Sequence, residues 1–304
     1  MFVAINKSTR GLRLVTAAIF LQVFLAAVDT TIVSTAMPTV VAALGGMRWY
    51  SWVFSAYMIA STIATPIAGK LSDQFSRKRM YLASIIAFLA ASMLCGASPN
   101  MVWLIVCRAL QGLAGGTMFA ISLGLIGVLY PAHQRGKMQG FFSSLWAIAS
   151  IIGPPLGGYV VEHLSWRWTF YLNLPLGALA LAFLSRFFHD AERGTVKQEL
   201  DFAGAAVLSV LALGLLLTVT NLDRFSPVIL AIVLAATTAC VILLIRIERL
   251  AEAPIVPLHL LRTPAIAAAN LTTLATGVCA FSLILFAPLF VQGVMLRPAT
   301  HAGL

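Results

Sequence analysis

The feature that most limits how this chain can fold is a succession of long apolar runs. A helix needs about 20 mostly apolar residues to cross the ~30 Å hydrocarbon core of a bilayer. Nine runs of that kind follow one another, at 12–37, 49–69, 80–98, 101–129, 138–161, 168–187, 202–221, 227–245 and 265–292. In lipid, backbone polar groups must be satisfied within the chain, so spanning segments are helices or strands of a closed barrel. These runs are continuous rather than alternating every second residue, which excludes strands and predicts an all-α integral membrane protein. Composition agrees. Of 304 residues, 60% are hydrophobic and 10% are Asp, Glu, Lys or Arg, against roughly 25% charged in a soluble domain; the mean hydropathy is +0.95. Most soluble enzymes, secreted disulfide scaffolds and disordered chains are thereby excluded. Three basic residues lead into the first run as they would in a signal peptide. That run is too long for a signal segment, so it is expected to stay as a span.

The net charge is +10, from 20 basic and 10 acidic side chains, and the placement of the cations explains it. Lys7, Arg10, Arg13, Lys70, Arg77, Lys78, Arg79, Arg135, Lys137, Arg186, Arg193, Lys197, Arg246, Arg249 and Arg262 fall at alternate connections. The intervening set holds only Arg48, Arg167, Arg224 and Arg297, and Arg108 lies inside a run. The positive-inside rule places the N-terminus and the basic loops in the cytoplasm of a multi-pass protein of the cell membrane, with Leu304 outside after nine crossings. Cations spread over membrane-proximal loops encode orientation, so no nucleic-acid partner is expected.

Cys95, Cys107, Cys240 and Cys279 lie in apolar runs without CxxC spacing, which reads as small buried hydrophobes. His133, His163, His189, His259 and His301 fall in polar connections or the tail, none paired at i, i+3 or i+4, so no metal site is expected. The connections also divide the chain. Runs 1–6 are tightly joined, and the charged stretch from Arg186 to Asp201 reads as a boundary. Runs 7 and 8 form a pair, followed by a second linker, Arg246 to Pro264, and then run 9.

Two full charges inside the runs are the strongest functional signal. Insertion scales put the cost of an ionisable group in mid-membrane at ~2.5–3.5 kcal/mol, so such a group faces a partner or water. Counted from the outer ends of their runs, Asp29 and Arg108 lie at similar depth, roughly 10–14 Å, and are placed to pair. Gln111 follows Arg108 by three residues and Gln22 precedes Asp29 by seven, giving each charge a polar neighbour. Two readings follow. One is a carboxylate that gains and loses a proton beside Arg108, and that also attracts cationic ligands; the other is a static salt bridge joining helices 1 and 4.

Further motifs sit around this pair. The loop after helix 2 reads GKLSDQFSRKR, from Gly69 to Arg79; Asp73 precedes Arg77 by four residues. It is either a conformational latch or a solvated loop carrying a topology signal. Small residues recur at i, i+4 in helix 2 (Ala56, Ala60, Ala64, Ala68), helix 4 (Gly112, Gly116, Ala120, Gly124) and helix 5 (Ala149, Gly153, Gly157), a spacing that lets helices approach closely. Pro154 and Pro155 remove backbone donors and predict a bending or gating helix 5. Trp166, Arg167 and Trp168 read as interfacial anchors, and Asn173 with Pro175 as a local break in helix 6. Thr272, Thr273 and Thr276 give helix 9 a partly polar face, which either lines a cavity or bonds back to the helix.

Together these residues resemble the major facilitator superfamily. GKLSDQFSRKR is similar to its signature loop between helices 2 and 3, CRALQGLAGG (Cys107–Gly116) to its helix 4 motif, and ASIIGPPLGG (Ala149–Gly158) to its antiporter motif. DTTIVSTAMP (Asp29–Pro38) and WRWTFYLNLP (Trp166–Pro175) resemble the fourteen-helix EmrB/QacA branch of drug/proton antiporters. The resemblance implies a major facilitator fold with an N-terminal six-helix bundle at 1–187, a cytoplasmic linker at 188–201, two extra helices at 202–245, a second linker at 246–264, and the first helix of a C-terminal bundle at 265–304. It implies proton-driven export of small amphipathic compounds by alternating access, no enzymatic activity and no cofactor. Asp29, Arg108 and Gln111 are assigned to proton coupling, and Gly69, Asp73, Arg77 and Lys78 to the cytoplasmic latch. Gly153, Pro154, Pro155, Gly157 and Gly158 are assigned to the antiporter motif. The sequence departs from the pattern at Ser76 and Ala149, where the family usually has glycine. About five helices of a fourteen-helix member are lacking, which reads as a partial or truncated chain whose activity requires the missing bundle. Competing readings are a facilitator-type permease for a metabolite, an inactive remnant, and a membrane-embedded enzyme. The enzyme reading is disfavoured because Asp29 and Asp73 lie on opposite sides.

Overall fold

The structure, a computed structural model, describes residues 9–188, 202–220, 226–251, 260 and 262–295. Among them the regular elements are α-helices and one short 3-10 turn at Met47–Trp49. The helices are α1 (Thr9–Leu44), α2 (Tyr50–Gln74), α3 (Arg77–Gly96), α4 (Met101–Leu129), α5 (Ala132–His163), α6 (Trp168–Tyr171), α7 (Asn173–Phe187), α8 (Phe202–Thr220), α9 (Pro227–Leu250) and α10 (Pro264–Gly293). Seven stretches of described helix, α6 and α7 together counting as one, are long and apolar enough to cross a membrane. The apolar stretches described within α8 and α10, Ala203–Leu215 and Pro264–Ala280, are shorter.

Several helix ends have a legible local cause. Gly45 and Gly46 adopt φ of 73° and 82°, a left-handed conformation open to glycine, and they stop α1. Ser76 caps α3 by accepting from the Arg79 amide at 3.2 Å, and Asn100 caps α4 by accepting from Trp103 at 2.9 Å. Ser76, at the position where the family motif usually has glycine, has an ordinary negative φ of −58°, so a cap replaces a flexible residue without strain.

α1 lies at the centre of the first bundle, against α4, α5, α6 and α7, while α2 and α3 both pack on α4. One apolar cluster gathers Ile19, Leu25, Tyr81, Phe88, Met118 and Leu184; a second gathers Met37, Val53, Leu104, Trp166 and Phe170. Between them, where α1 meets α3, α4 and α7, lies a polar layer. The outer faces remain apolar: Val102, Val106, Leu110 and Leu113 run down the exposed side of α4, as a lipid-facing surface requires. α8 and α9 pack on each other; α8 also touches α2, and α10 touches α1.

Some boundaries shift from the sequence expectation. α1 extends seven residues past Met37, because the small and apolar residues that follow continue the helix until the glycine pair. α9 runs to Leu250, so the expected linker start at 246 is still helical. Phe188, expected to open the first linker, is buried in the bundle core; positions 189–201 of that linker and 252–259 of the second lie outside the described residues. The sixth run is two helices, interrupted at Leu172, beside the expected Asn173. Helix α5, expected to bend or gate at its prolines, runs uninterrupted through Pro154 and Pro155. Its glycines seat it along α1, while Ser150 and Ile151, whose carbonyls lose their i+4 donors to the two prolines, are exposed rather than buried in the core.

Candidate functional site

The polar layer is built by one residue or two from each neighbouring helix. Asp29, on α1, is fully buried. Its Oδ2 accepts from Arg108 Nη1 of α4 at 2.7 Å. Its Oδ1 accepts from Gln111 Nε2, one turn further along α4, at 3.0 Å and from Asn173 Nδ2, the first residue of α7, at 2.6 Å. The i, i+3 spacing of Arg108 and Gln111 puts both on one face of α4, where Gln111 Oε1 accepts a further bond from Arg108 Nη1 at 2.8 Å. Ser92 of α3 closes the network. Its hydroxyl accepts from Asn173 at 2.7 Å and Gln111 at 3.3 Å and donates to the Phe170 carbonyl at 2.9 Å.

Arg108 is equally buried. Its guanidinium lies 4.3 Å from the centre of the Tyr57 ring of α2, a cation–π contact strengthened by the burial of both side chains. Its Nε is buried without a hydrogen-bond partner. The height of Arg108 is set by contact between main chains. A Cβ at Gly112 or Gly116 would collide with the carbonyl oxygen of Tyr57 or of Ser61, so α4 approaches α2 this closely only with glycine at both positions. Burying two charges costs several kcal/mol per ion and is offset only by good geometry and full hydrogen bonding, which Asp29 has.

The structure therefore brings Asp29, Arg108 and Gln111 together. Gln22 does not join them: its Oε1 accepts from Tyr81 at 2.7 Å and Ser122 at 2.9 Å in a separate layer. Seven helical residues separate the two layers by roughly 10 Å, beyond side-chain reach. Depth counted from helix ends also misleads. Asp29 lies 15 residues before Leu44, roughly 22 Å, whereas Arg108 is seven residues into α4, roughly 10 Å.

Asn173, Ser92 and Tyr57 were not legible as site residues. Asn173 was legible only as a break; an amide in an apolar run, like Gln111, was the available signal. Ser92 carried none, because serine in an apolar helix ordinarily bonds back to its own turn.

The other motif residues lie apart from this layer. Asp73, in the last turn of α2, accepts from Arg77 Nη2 at 2.5 Å across the turn to α3, and Arg77 Nε donates to the Ser72 carbonyl at 3.2 Å. Lys78 Nζ donates to the Ser185 carbonyl at the end of α7, at 2.8 Å. Apart from its own turn of α2, no described atom lies within 4 Å of where a Cβ would stand on Gly69. On α5, Gly153 and Gly157 face Thr31, Ile32 and Thr35 of α1, and Gly158 is buried. The Thr31 hydroxyl donates to the Ala149 carbonyl at 3.2 Å, in a contact where Ala149 is fully buried. Thr272, Thr273 and Thr276 bond back to α10. Cys95 and Cys107 are buried, but Cys279 is exposed. Among the described residues no three His, Cys, Asp or Glu gather as metal ligands would.

Helices apolar on their outer faces, enclosing an acid–base pair, define a multi-pass membrane protein with an internal ionisable site. The chain belongs to the Major Facilitator Superfamily, which it matches over residues 19–301. It is 37% identical to the multidrug transporter protein MdtP of Bacillus subtilis over 98% of its own length and 55% of the relative's. It is also 37% identical to multidrug resistance protein 3 of the same organism, over 96% of its own length and 57% of that relative's. An efflux pump of Gibberella moniliformis, FUS6, is 36% identical over 67% of this chain and 37% of the pump. The chain thus spans about half the length of the two bacterial relatives. Among solved structures, the human organic anion transporter MFSD10 matches with a TM-score of 0.54 at 19% identity, covering 67% of this chain and 55% of that one. A bacterial homologue of the human lysosomal transporter Spinster, inward-facing and occupied, matches at 0.53 and 15% identity, covering 72% and 63%. These structures share the fold.

Proposed function

We propose that this protein is part of a proton-coupled exporter of amphipathic organic compounds, in the fourteen-helix drug/proton antiporter branch of its family. The observation that carries the reading is the fully buried Asp29 carboxylate, held by Arg108, Gln111 and Asn173 inside a membrane helix bundle. An acid kept at such cost in the membrane marks an ion or substrate pathway. The names of the two Bacillus relatives and of the efflux pump support drug export as the activity. The α8–α9 pair, beyond the first bundle, supports the fourteen-helix assignment.

In this reading Asp29 takes a proton from the outer side and releases it inward as substrate leaves, with the proton gradient as the sole energy source and no cofactor. Alternating access needs two bundles rocking about a common site, and α10 is proposed to open the second. The basic loops are cytoplasmic, which puts the Asp73–Arg77 turn on the inner face of the cell membrane. That turn is the proposed latch. Arg77 Nη1 is buried without a hydrogen-bond partner, a donor that would gain one if the turn rearranged, and the open space over Gly69 gives a second bundle room to approach. Gly153, Pro154, Pro155, Gly157 and Gly158 are proposed to let α5 slide along α1 as the bundles rock.

The test is Asp29→Asn, which keeps the shape and removes the charge. Cells expressing the protein should accumulate less fluorescent dye than controls, and the variant should abolish the difference while inserting normally. Proton-dependent efflux surviving the substitution would refute the role. The static salt bridge is favoured by the completeness of Asp29's hydrogen bonding; it predicts instead a variant that loses stability in detergent but still transports when folded.

A further inference from the structure

We infer that Asn173 is a positioning residue that responds to the protonation of Asp29 and transmits it, through Ser92, to the interruption between α6 and α7. This rests on the reading of Asp29 as a proton-exchanging carboxylate, and it identifies what the proton moves.

Each of the three hydrogen bonds to Asp29 is one that it accepts. A carboxyl group that gains a proton becomes a donor, and no partner as now oriented offers an acceptor. One neighbour has to turn. Arg108 has no acceptor in any orientation. The oxygen of Gln111 is already engaged by Arg108 at 2.8 Å and by the Cys95 thiol at 3.6 Å, and turning that amide would press its N–H groups against the guanidinium. Asn173 remains. Rotation of its amide by half a turn presents Oδ1 to the new Asp29 proton and restores the hydrogen bond with the roles exchanged.

That rotation has a second consequence. Asn173 Nδ2 now donates to both Asp29 and Ser92. After the turn an oxygen faces the Ser92 oxygen, a repulsive contact that Ser92 relieves by swinging its O–H onto Asn173. The O–H then leaves the Phe170 carbonyl, its present acceptor at 2.9 Å. Phe170 belongs to the four-residue helix α6, and the chain is interrupted two residues later at Leu172. Proton arrival at Asp29 thus removes a hydrogen bond that ties α6 to α3 beside the break in the sixth span. The other ionisable groups facing Asp29 are Arg108 from α4, Tyr57 from α2 and Cys95 from α3. The α5 residues packed on this part of α1 (Ala149, Gly153 and Gly157) do not titrate, and α10 reaches α1 through Gln292, at the Thr35 carbonyl.

The experiment is hydrogen–deuterium exchange of the segment Trp168–Leu176 in lipid nanodiscs over a pH series. The infrared carboxyl band of Asp29, assigned by its loss in Asp29→Asn, is followed in parallel. In the unmodified protein, exchange should rise about fivefold in step with the band, as the loss of one hydrogen bond predicts. In Asn173→Ala and in Ser92→Ala the band should still titrate while exchange no longer follows it. Flat exchange in the unmodified protein while the band titrates overturns the inference and leaves the proton-exchange reading standing, even if neither variant folds. A response retained in Asn173→Ala overturns it too. A band that titrates at no pH removes the proton-exchange reading, and this inference with it.

Discussion

The chain makes the same ion pair twice, in opposite surroundings. Arg108 and Asp29 meet at 2.7 Å with side chains 1% and 0% exposed; Arg77 and Asp73 meet at 2.5 Å with side chains 9% and 59% exposed. Chemistry and distance are nearly shared, so the difference lies in what surrounds the acid. Asp73 keeps much of its hydration while Arg77 is buried, so this half-exposed pair is more open to water and to screening by salt than the fully buried one. Asp29 is held by three protein donors, of which only Arg108 carries a charge, so loss of Arg108 leaves a stranded carboxylate. A pair that is costly to bury and costly to break is suited to a site whose charge state matters. A pair at little cost suits a contact that forms and parts.

The largest test of this contrast is Arg108→Ala, which strands the Asp29 carboxylate. It should cost about 3–5 kcal/mol, read as a large fall in unfolding temperature in detergent, and Asp29→Asn on top of it should restore much of the loss. Gly116→Leu should come next. Its side chain would force α4 from the Ser61 carbonyl and lift Arg108 off Asp29, for about 1–3 kcal/mol of overpacking; a matching loss of dye export would show that the height of Arg108 matters. The smallest effect belongs to Asp73→Asn, expected at about 1 kcal/mol and reduced at high salt, because the acid is exposed although Arg77 is buried. A cost for Asp73→Asn as large as that for Arg108→Ala would erase the contrast.

The buried pair was legible in the sequence because two full charges in apolar runs have few places to go except to each other. Its supporting residues were less so. Gln111 shares a helix face with Arg108, which spacing reveals. Asn173 arrives from a helix more than sixty residues further on, and only the packing of α7 against α1 and α3 aligns it. Gln22 was assigned to the wrong layer because heptad spacing keeps a residue on one helix face but carries it two turns along the axis. Helix ends were blurred for a related reason: apolar counting finds the lipid-crossing part of α1, whereas the helix itself stops where Gly45 and Gly46 turn left-handed.

The touching main chains of α2 and α4 also act as a key. A slip of α4 by one turn in one direction would bring Ala120 onto the Ser61 carbonyl, where its methyl has no room. A slip the other way would drive Arg108 itself onto the Tyr57 main chain, in the place now held by Gly112. Neither intermediate stop is open. The two helices can tilt or travel only as a single strut, so any opening of the first bundle has to run along other seams.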